Sequence, residues 1–341
     1  MGWEYYAAVL LVYLGTDLLA VWGLNLEFGV AGIANLAFIV VVAAGAYTYA
    51  VCTLGPDTAN GGFQTYIGGF HFPYALALAA GAVVGAIVGT LIGLTGLKRL
   101  RQDYQAVAML IVSLMMITFV SVDVGLLNGS AGLSLIPSPF GQVSQSERWS
   151  YVALTAGCAI VGFFVLRRFT TGPIGRALRA MRDDDVAASA IGKDVVRLRL
   201  MAQAVGGAFG GLSGALLAGF IGGWSPSAWA YVETLAFLSC IIVGGRGNDG
   251  GVSLGTLVIA VLVLQGVQFL PQINSDAGLT EAFSWIILGS ATIIFIWLRP
   301  QGVFPERRPR YARGGPRHGQ APPGEARPQY STTGSAAEPT E

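Results

Sequence analysis

The chain has few charged side chains, which make up 11% of its 341 residues, whereas 53% of the residues are hydrophobic. Soluble domains carry roughly a quarter charged residues, and a soluble chain of this composition would expose apolar patches that cause aggregation. The mean hydropathy of +0.61 therefore excludes an ordinary soluble domain and favours a protein surrounded by lipid. A formal net charge of +1 gives no electrostatic reason to expect a nucleic-acid partner.

Histidine and cysteine are also scarce. His71 and His318 form no HExxH motif, and the three cysteines lie far apart in apolar stretches, so the sequence shows neither a metal site nor a disulfide framework. The chain lacks the GxxxxGK(S/T) phosphate loop and the GxSxG nucleophile turn. We therefore expect no catalytic residue, no bound metal or cofactor, and no ATP hydrolysis by this chain.

Long uncharged stretches take the place of charge in this sequence. A membrane-spanning helix needs about 20 mostly apolar residues, and about nine segments come near that length. We predict an all-α, polytopic transmembrane bundle of about 8–9 spans over residues 1–304. Leu24–Gly32 is either a break or a re-entrant turn, which leaves the count open. Residues 305–341 are rich in Pro, Gly, Arg, Ser and Thr, and we expect a disordered cytoplasmic tail there.

The positions of lysine and arginine predict the orientation of the spans, because basic residues are enriched in cytoplasmic loops. We place the loop Leu97–Tyr104, with Lys98, Arg99 and Arg101, in the cytoplasm and let the sides alternate. Every Lys and Arg residue except Arg148 then falls on the cytoplasmic side. We therefore expect a multi-pass protein of the plasma membrane with a cytoplasmic C-terminus and an extracytoplasmic N-terminus.

Glycine recurs at four-residue spacing in two of the apolar segments. In a helix this spacing makes a groove without side chains, which a neighbouring helix can approach closely, and van der Waals contact drives such packing in lipid. We interpret these glycines as helix-packing positions rather than ligand contacts. They are Gly81, Gly85, Gly89 and Gly93 in one segment and Gly206, Gly210 and Gly214 in another.

The segment Thr171–Arg199 is too polar to span a membrane and lies between two spans on the basic side. Its apolar positions roughly follow helical periodicity from Ile174 onwards, and Gly192 is a helix stop. We predict one long amphipathic helix that either lies on lipid headgroups or docks a soluble partner. The acidic triplet Asp183–Asp185 favours docking, because it argues against adhesion to an anionic leaflet.

Few polar side chains fall within the apolar runs, and ionisable groups in lipid usually face a cavity or a partner. Asp17 and Glu233 either line a polar path or form one structural pair. An alternative function follows from the first option, a stand-alone secondary transporter with an Asp17/Glu233 ion site; a membrane-embedded receptor without transport is a third hypothesis. The candidates for a substrate pathway are Asp17, Asn25, Asn35, Tyr47, Asn128, Ser130 and Glu233.

Several motifs resemble those of a known family. Gly172–Gly192, GPIGRALRAMRDDDVAASAIG, resembles the coupling segment of branched-chain amino acid ABC transporter permeases, whose pattern is close to SPFGRALRAIREDEIAAEAMG. Other motifs follow in the family's order: Leu24–Gly32 (NLxxGYAG), Gly45–Thr48 (GAYT), Leu97–Ala106 (LRLRGDYFA), Asn128–Leu133 (NGSAGL), Ser225–Pro226 (SP), Gly244–Gly247 (GGLG) and Arg299–Gly302 (RPQG). Two departures are the loss of Ser and His from the family's GQLSLGHAAF stretch, at Gly32–Val41, and Ser189 in place of a glutamate.

The resemblance implies the membrane-spanning permease subunit of a prokaryotic ABC importer, which moves branched-chain or related amino acids by ATP-driven alternating access. Urea or short amides stay open as substrates because the stretch Gly32–Val41 is less polar here. The implied partners are a second permease, identical or homologous, two cytoplasmic ATPase subunits that use ATP and Mg, and an extracytoplasmic solute-binding protein. The residues that would couple to an ATPase are Gly175, Arg176, Arg179, Arg182, Asp183, Asp184, Asp185, Ala187, Ala188 and Gly192.

Overall fold

A computed structural model describes residues 3–56, 62–95, 102–140, 145–265, 277–299 and 301–306. These residues form a helical bundle with one two-stranded sheet, which confirms the predicted fold class. The predicted basic loop residues Lys98, Arg99 and Arg101 and the predicted disordered tail from residue 307 onwards lie outside the described residues. The compact unit runs from Met1 to Glu306, so Pro305 and Glu306 belong to it rather than to the tail.

The helices follow one another with short connections, and π-helical segments extend two of them. The helices are α1 (Trp3–Leu24) with the π-helical segment Asn25–Val30, α2 (Phe38–Leu54), α3 (Tyr74–Thr95), α4 (Gln102–Val122), α5 (Val124–Leu127), α6 (Gln145–Thr171), α7 (Pro173–Asp183), α8 (Asp185–Ala190), α9 (Val195–Ile221), α10 (Tyr231–Gly244), α11 (Asp249–Thr256) with the π-helical segment Leu257–Gln265, and α12 (Ala277–Leu298). The strands are β1 (Leu133–Ser134) and β2 (Gly223–Trp224), and short 3-10 turns lie at Gly129–Ala131 and Pro226–Trp229.

In the described part of the chain, 6 helices are long and apolar enough to cross a membrane, and three shorter apolar helices accompany them. The first span runs through Trp3–Val30 over 28 residues, so the π-helical segment Asn25–Val30 forms its end. We call this segment the π-helical break. Large apolar side chains lie exposed on the flanks of the bundle, for example Ile87 on α3, Met115 on α4 and Phe164 on α6. Such a surface fits lipid, because in water it would aggregate.

The centre of the bundle is α9, which packs against α1, α2 and α3. Its contact with α3 is made by glycine on both helices. A Cβ atom added to Gly85 would lie 2.7 Å from the Gly211 Cα, and one added to Gly89 would lie 3.1 Å from the Gly207 Cα. The two backbones therefore touch directly, which is the close approach that small residues permit between membrane helices. We call this contact the glycine seam.

The second glycine row of α9 faces other parts of the bundle. Its three contacts are Gly206 with Glu27, Gly210 with Phe38, and Gly214 with Val42. On α3, Gly81 lies against Ala215 and Gly93 against Gln203. All seven glycines predicted as packing positions therefore lie at contacts between elements, and one face of α9 receives α3 while the adjacent face receives α2 and the π-helical break.

The loops separate into two groups at opposite ends of α9. At one end, β1 pairs antiparallel with β2 through Leu133 and Trp224, and the α2–α3 loop bridges to the end of α5. At the other end, the Val303 amide donates to the Val243 carbonyl, which joins the chain after α12 to the end of α10. These contacts thus join loops that the alternation of spans places on the same side of the membrane.

The prediction of one long helix in Thr171–Arg199 is wrong. The chain forms two helices, α7 and α8, separated at Asp184, whose backbone is extended with φ −159° and ψ 109°. The Asp184 carboxylate accepts hydrogen bonds from the amides of Val186, at 3.0 Å, and Ala187, at 2.9 Å. This arrangement is an N-cap, so the residue that looked like part of a charged helix face starts a new helix.

Candidate functional site

One face of α7 packs onto the helical bundle of the same chain, and the opposite face is exposed. Gly175, Leu178 and Met181 are buried, and Gly175 lies directly against the carbonyl of Thr170 at the end of α6. Arg176 is exposed on the opposite face. Of the predicted coupling residues on α7, Gly175 therefore serves packing, whereas Arg176 is available to a partner.

Two of the predicted coupling arginines on α7 are occupied within the chain. Arg179 Nε lies 2.9 Å from Glu306 Oε1, and Arg182 Nη2 lies 2.9 Å from Glu306 Oε2. The side chains of Arg182 and Glu306 are 16% and 19% exposed. Partly buried, charge-assisted hydrogen bonds of this kind are stronger than exposed ion pairs. Glu306 therefore fastens the end of the compact unit to α7.

Arg182 also joins α7 to the first span. Its Nη1 donates a 2.5 Å hydrogen bond to the carbonyl of Gly29 in the π-helical break, and its side-chain stem packs against Gly32. Gly32 has φ +77°, a conformation that glycine adopts without steric cost, so the chain can turn closely around the arginine. The π-helical break and α7 thus meet through one side chain.

The loop between α10 and α11, together with the first residue of α11, binds the same π-helical break. Asn25 Oδ1 accepts a hydrogen bond from the Gly247 amide at 3.1 Å, and Asn25 Nδ2 donates to Asp249 Oδ1 at 3.2 Å. The Arg246 guanidinium lies 4.7 Å from the centre of the Phe28 ring, a cation–π contact. Asn25, a candidate for the substrate pathway, therefore connects the break to a neighbouring loop.

Burial, followed by the positive charge of Arg182, lowers the pKa of the Arg246 guanidinium. Glu306 and Asp183 act in the opposite direction and favour its charged form. Because an arginine titrates far above neutral pH, it stays charged here. The contacts of Arg182, Arg246 and Glu306 thus lie in one partly buried region at this end of the bundle.

The acidic triplet has three different environments. Asp183 is 74% exposed in its side chain and lies 3.4 Å from Arg182 Nε. Asp184 caps α8, as described above, and Asp185 Oδ2 lies 3.1 Å from Arg199 Nη2 on α9. Asp184 and Asp185 thus shape the segment, and Asp183 is the most open of the three charges to a partner.

The structure separates the apolar positions that the periodicity argument put on one face of a single helix, because Leu178 and Met181 of α7 are buried and the apolar tip of α8 is exposed. Val186 and Ile191 are 73% and 72% exposed, and Ala187 is exposed beside them, whereas Ala188 is buried. Gly192 follows with φ +80°, so the chain turns there towards α9. With Arg176 and Asp183, these residues make an exposed surface of apolar and charged groups, which we call the α7–α8 surface.

Asp17 and Glu233 lie on α1 and α10, which contact each other. Asp17 is 8% exposed, and Glu233 lies in the first turn of α10. The two acidic groups therefore share one region of the bundle, which agrees with both options that the sequence leaves open, a polar path and a structural pair.

Glu27 is a buried carboxylate that sequence reasoning missed. It is 0% exposed in the π-helical break, and Asn35 Nδ2 donates to its Oε2 at 2.7 Å. Its Oε1 lies towards Gly206 and has no hydrogen-bond partner among the described residues. The irregular stretch Leu24–Gly32 was the available signal, because irregular backbone at membrane depth is tolerated where protein or a cavity surrounds it.

The remaining pathway candidates lie elsewhere. Tyr47 is buried with its ring centre 6.3 Å from that of Trp229, beside a cavity of about 440 Å³ between α2, α3 and α4. Asn128 donates to the Gly132 carbonyl at 2.7 Å and shapes its own loop, and Ser130 is exposed. The structure therefore gives Tyr47, Asn128 and Ser130 three different surroundings, and their role in a substrate pathway stays a prediction.

Comparisons with known proteins identify the class of molecule to which this helical bundle belongs. The family model described as "Branched-chain amino acid transport system / permease component" matches residues 6–296. The chain is 28% identical over 316 residues to the high-affinity branched-chain amino acid transport system permease protein LivM of Salmonella typhimurium, covering 84% of this chain and 67% of that protein. No solved structure matches the chain significantly.

Two further relatives extend the comparison. The probable branched-chain amino acid transport permease protein LivM of Methanocaldococcus jannaschii is 25% identical over 329 residues, covering 88% of this chain and 93% of that protein. The permease protein LivH of the high-affinity system of Escherichia coli is 26% identical over 295 residues, covering 82% of this chain and 88% of that protein.

The chain is thus a multi-pass membrane permease. It belongs to the family of branched-chain amino acid transport system permease components. This membership confirms the resemblance drawn from the motifs and the expectation of a transport permease. None of these relatives supports the alternative of a stand-alone secondary transporter.

Proposed function

We propose that this chain is the membrane-spanning permease subunit of an ABC importer that moves branched-chain or related amino acids into a prokaryotic cell by alternating access. A second permease completes the translocation unit, two cytoplasmic ATPase subunits supply the energy from ATP and Mg, and an extracytoplasmic solute-binding protein delivers the substrate. The observation that carries the proposal is the family match over residues 6–296, with the exposed α7–α8 surface between two spans.

The α7–α8 surface supports docking to an ATPase for a physical reason. Val186 and Ile191 expose apolar area at the tip of a segment that is too polar to enter lipid, and Arg176 and Asp183 add charges of both signs. Interfaces of this kind combine an apolar centre with a charged rim that sets specificity and register. We propose that this surface enters a cleft of the ATPase.

The orientation follows from the same surface. An ATPase that uses cellular ATP requires α7, α8 and the loop between α10 and α11 on the cytoplasmic side. The loops joined by β1 and β2 then face outwards, where a solute-binding protein would dock. The N-terminus is extracytoplasmic and the C-terminus cytoplasmic in this arrangement, in agreement with the positions of Lys and Arg.

Charge reversal at Arg176 tests the docking surface. We propose that Arg176 faces an acidic group of the ATPase. In Arg176→Glu two negative charges would meet there, at a cost of roughly 1.4 kcal/mol or more in binding free energy, so the amount of ATPase that co-purifies with the tagged permease should fall about tenfold. The thermal unfolding of this variant should match that of the wild type, since Arg176 is exposed. Uptake of radiolabelled leucine into proteoliposomes that contain the intact importer should fall with the bound ATPase.

Arg148→Glu at the start of α6 is the control, because it makes the same charge change at the opposite end of the bundle; it also removes a 4.5 Å contact with the Tyr5 ring, so its thermal unfolding is measured as well. It should leave ATPase binding unchanged. The proposed function fails if the wild-type permease co-purifies with no ATPase, or if the chain alone takes up leucine along an ion gradient. Equal ATPase recovery with Arg176→Glu and Arg148→Glu would reject the docking surface alone.

A further inference from the structure

Glu306 lies four residues beyond the Arg299–Gly302 motif, in the part of the chain whose sequence resembles a tail. Its carboxylate is nevertheless hydrogen-bonded on one side and in close contact with backbone on another. Both oxygens accept charge-assisted hydrogen bonds from α7, one from Arg179 and one from Arg182, each at 2.9 Å. On the other side, a Cβ added to Gly247 would lie 3.1 Å from the carboxyl carbon of Glu306.

The contacts around Glu306 close into a ring. From Glu306, Arg182 leads to the Gly29 carbonyl in the π-helical break. From the same carboxylate, the loop at Gly247 leads to Asn25 in the break through the 3.1 Å amide hydrogen bond. The two routes reach the same π-helical turn, and Glu306 lies where they meet.

We infer that Glu306 is a positioning residue that locks α7 onto the π-helical break of the first span. A displacement of α7 then moves the break with it, because the distance between the two elements is fixed. This inference rests on the proposed function, because it assigns a mechanical role at the docking segment. It adds a residue that neither the motifs nor the family comparisons single out.

The path from the ring continues into the interior. The break carries Glu27, which is fully buried and lies against Gly206 of α9, the central helix. Gly29, held by Arg182, is two residues from Glu27 in the same turn. A displacement of Gly29 therefore moves the Glu27 side chain, which contacts α9 in the glycine-packed core. A π-helical turn suits this role, because its irregular hydrogen bonding often marks functional sites.

Loss of the charge at Glu306 tests the lock. In Glu306→Gln, one acceptor becomes an amide N–H that faces arginine donors, so the bonds to Arg179 and Arg182 weaken. In the purified full chain, hydrogen exchange should become about tenfold faster in Asn25–Val30 and in α7, and should stay unchanged in α3. Glu306→Asp keeps the charge and should restore part of the protection. Glu325→Gln removes the same charge from the tail and serves as the control.

Transport by the intact importer supplies the second measurement. With Glu306→Gln, leucine taken up per ATP hydrolysed should fall about fivefold or more, the size of a typical coupling between sites. The ATPase should still co-purify, because Arg176 and the tip of α8 are unchanged. Wild-type hydrogen exchange in Asn25–Val30 of Glu306→Gln would overturn the inference, as would a wild-type coupling ratio despite faster exchange. If even the wild-type importer fails to take up leucine, the proposed function is wrong, and hydrogen exchange still decides whether the lock exists.

Discussion

The glycine seam and the ring around Glu306 hold helices together by opposite means. In the seam, Gly85 and Gly211 let the α3 and α9 backbones touch with no side chain between them. In the ring, long charged side chains reach from α7 to Gly29 and Glu306. Lipid offers no hydrophobic driving force, so helices there gain most from close van der Waals contact. At the end of the bundle, water is near and can partly solvate charges, so the desolvation cost of an ion pair is smaller there.

The comparison also separates rigidity from mobility. A backbone contact between glycines leaves no side chain that can rearrange, so α3 and α9 should move as one body. The ring joins α7 to the π-helical break through long charged side chains, so these two elements can shift together relative to α3 and α9 when α7 is displaced. We therefore expect conformational change in this permease to start at the π-helical break and to leave the glycine seam intact.

The largest effect is expected in the glycine seam. Gly85→Leu should abolish stable folding, because the new side chain meets the backbone at Gly207 and Gly211, and overpacking of this kind costs about 3 kcal/mol or more. Yield from membranes and the temperature of unfolding measure the effect. Gly157→Leu on α6 is the matched control, since a Cβ added there meets no atom of the described residues within 4 Å. Similar yields for the two variants would disprove the distinction between seam and flank.

An intermediate effect is expected at Glu27, where the two regions meet. Glu27→Ala leaves a cavity beside Gly206 and removes the partner of Asn35 Nδ2, at a cost of about 2–3 kcal/mol. Glu27→Gln keeps the volume and an acceptor for Asn35, so its loss should be clearly smaller. Thermal unfolding of both variants in the same detergent measures the difference. Equal losses would show that neither the filled volume beside Gly206 nor the hydrogen bond to Asn35 contributes to stability.

The smallest effect is expected at Asp184. Asp184→Ala removes the N-cap of α8 and should cost about 1 kcal/mol, mostly through local loosening of α8. Hydrogen exchange in α8 should rise while the glycine seam is unaffected. Asp184→Asn keeps a capping side chain and is the control. If the alanine and asparagine variants exchange equally in α8, the cap does not define the boundary between α7 and α8.

Much of the architecture could be predicted from local patterns. Long uncharged runs predict helical spans, because a backbone in lipid must satisfy its own hydrogen bonds. Glycines such as Gly85 and Gly210, at four-residue spacing, lie on one helix face whatever packs against it. The motif Gly172–Gly192 identified the family, and the comparisons confirm it. In each case the informative residues are close together in sequence.

The site was less accessible to sequence reasoning. Arg179 and Arg182 look free in a charged segment, yet their partner Glu306 is more than a hundred residues away. Asp184 looks like one charge of a triplet, but its backbone conformation makes it a cap. Val186 and Ile191 follow the same helical period as Leu178, but the interruption of the helix at Asp184 separates them, so that Leu178 is buried and the other two are exposed. Each of these differences arises from a contact or a turn that no local pattern contains.

By itself, the sequence determined that this chain lies within a membrane, that its spans are helices, and which glycines those helices place on their contact faces. These properties depend on the solvent and on a helical repeat of a few residues. Only the tertiary structure decided that α3 and α9 share the glycine seam, that Glu27 is enclosed beside Gly206, and that Glu306 closes a ring between α7 and the π-helical break. Those features require residues from distant parts of the chain to meet, because charge pairing and burial act through space and not along the sequence.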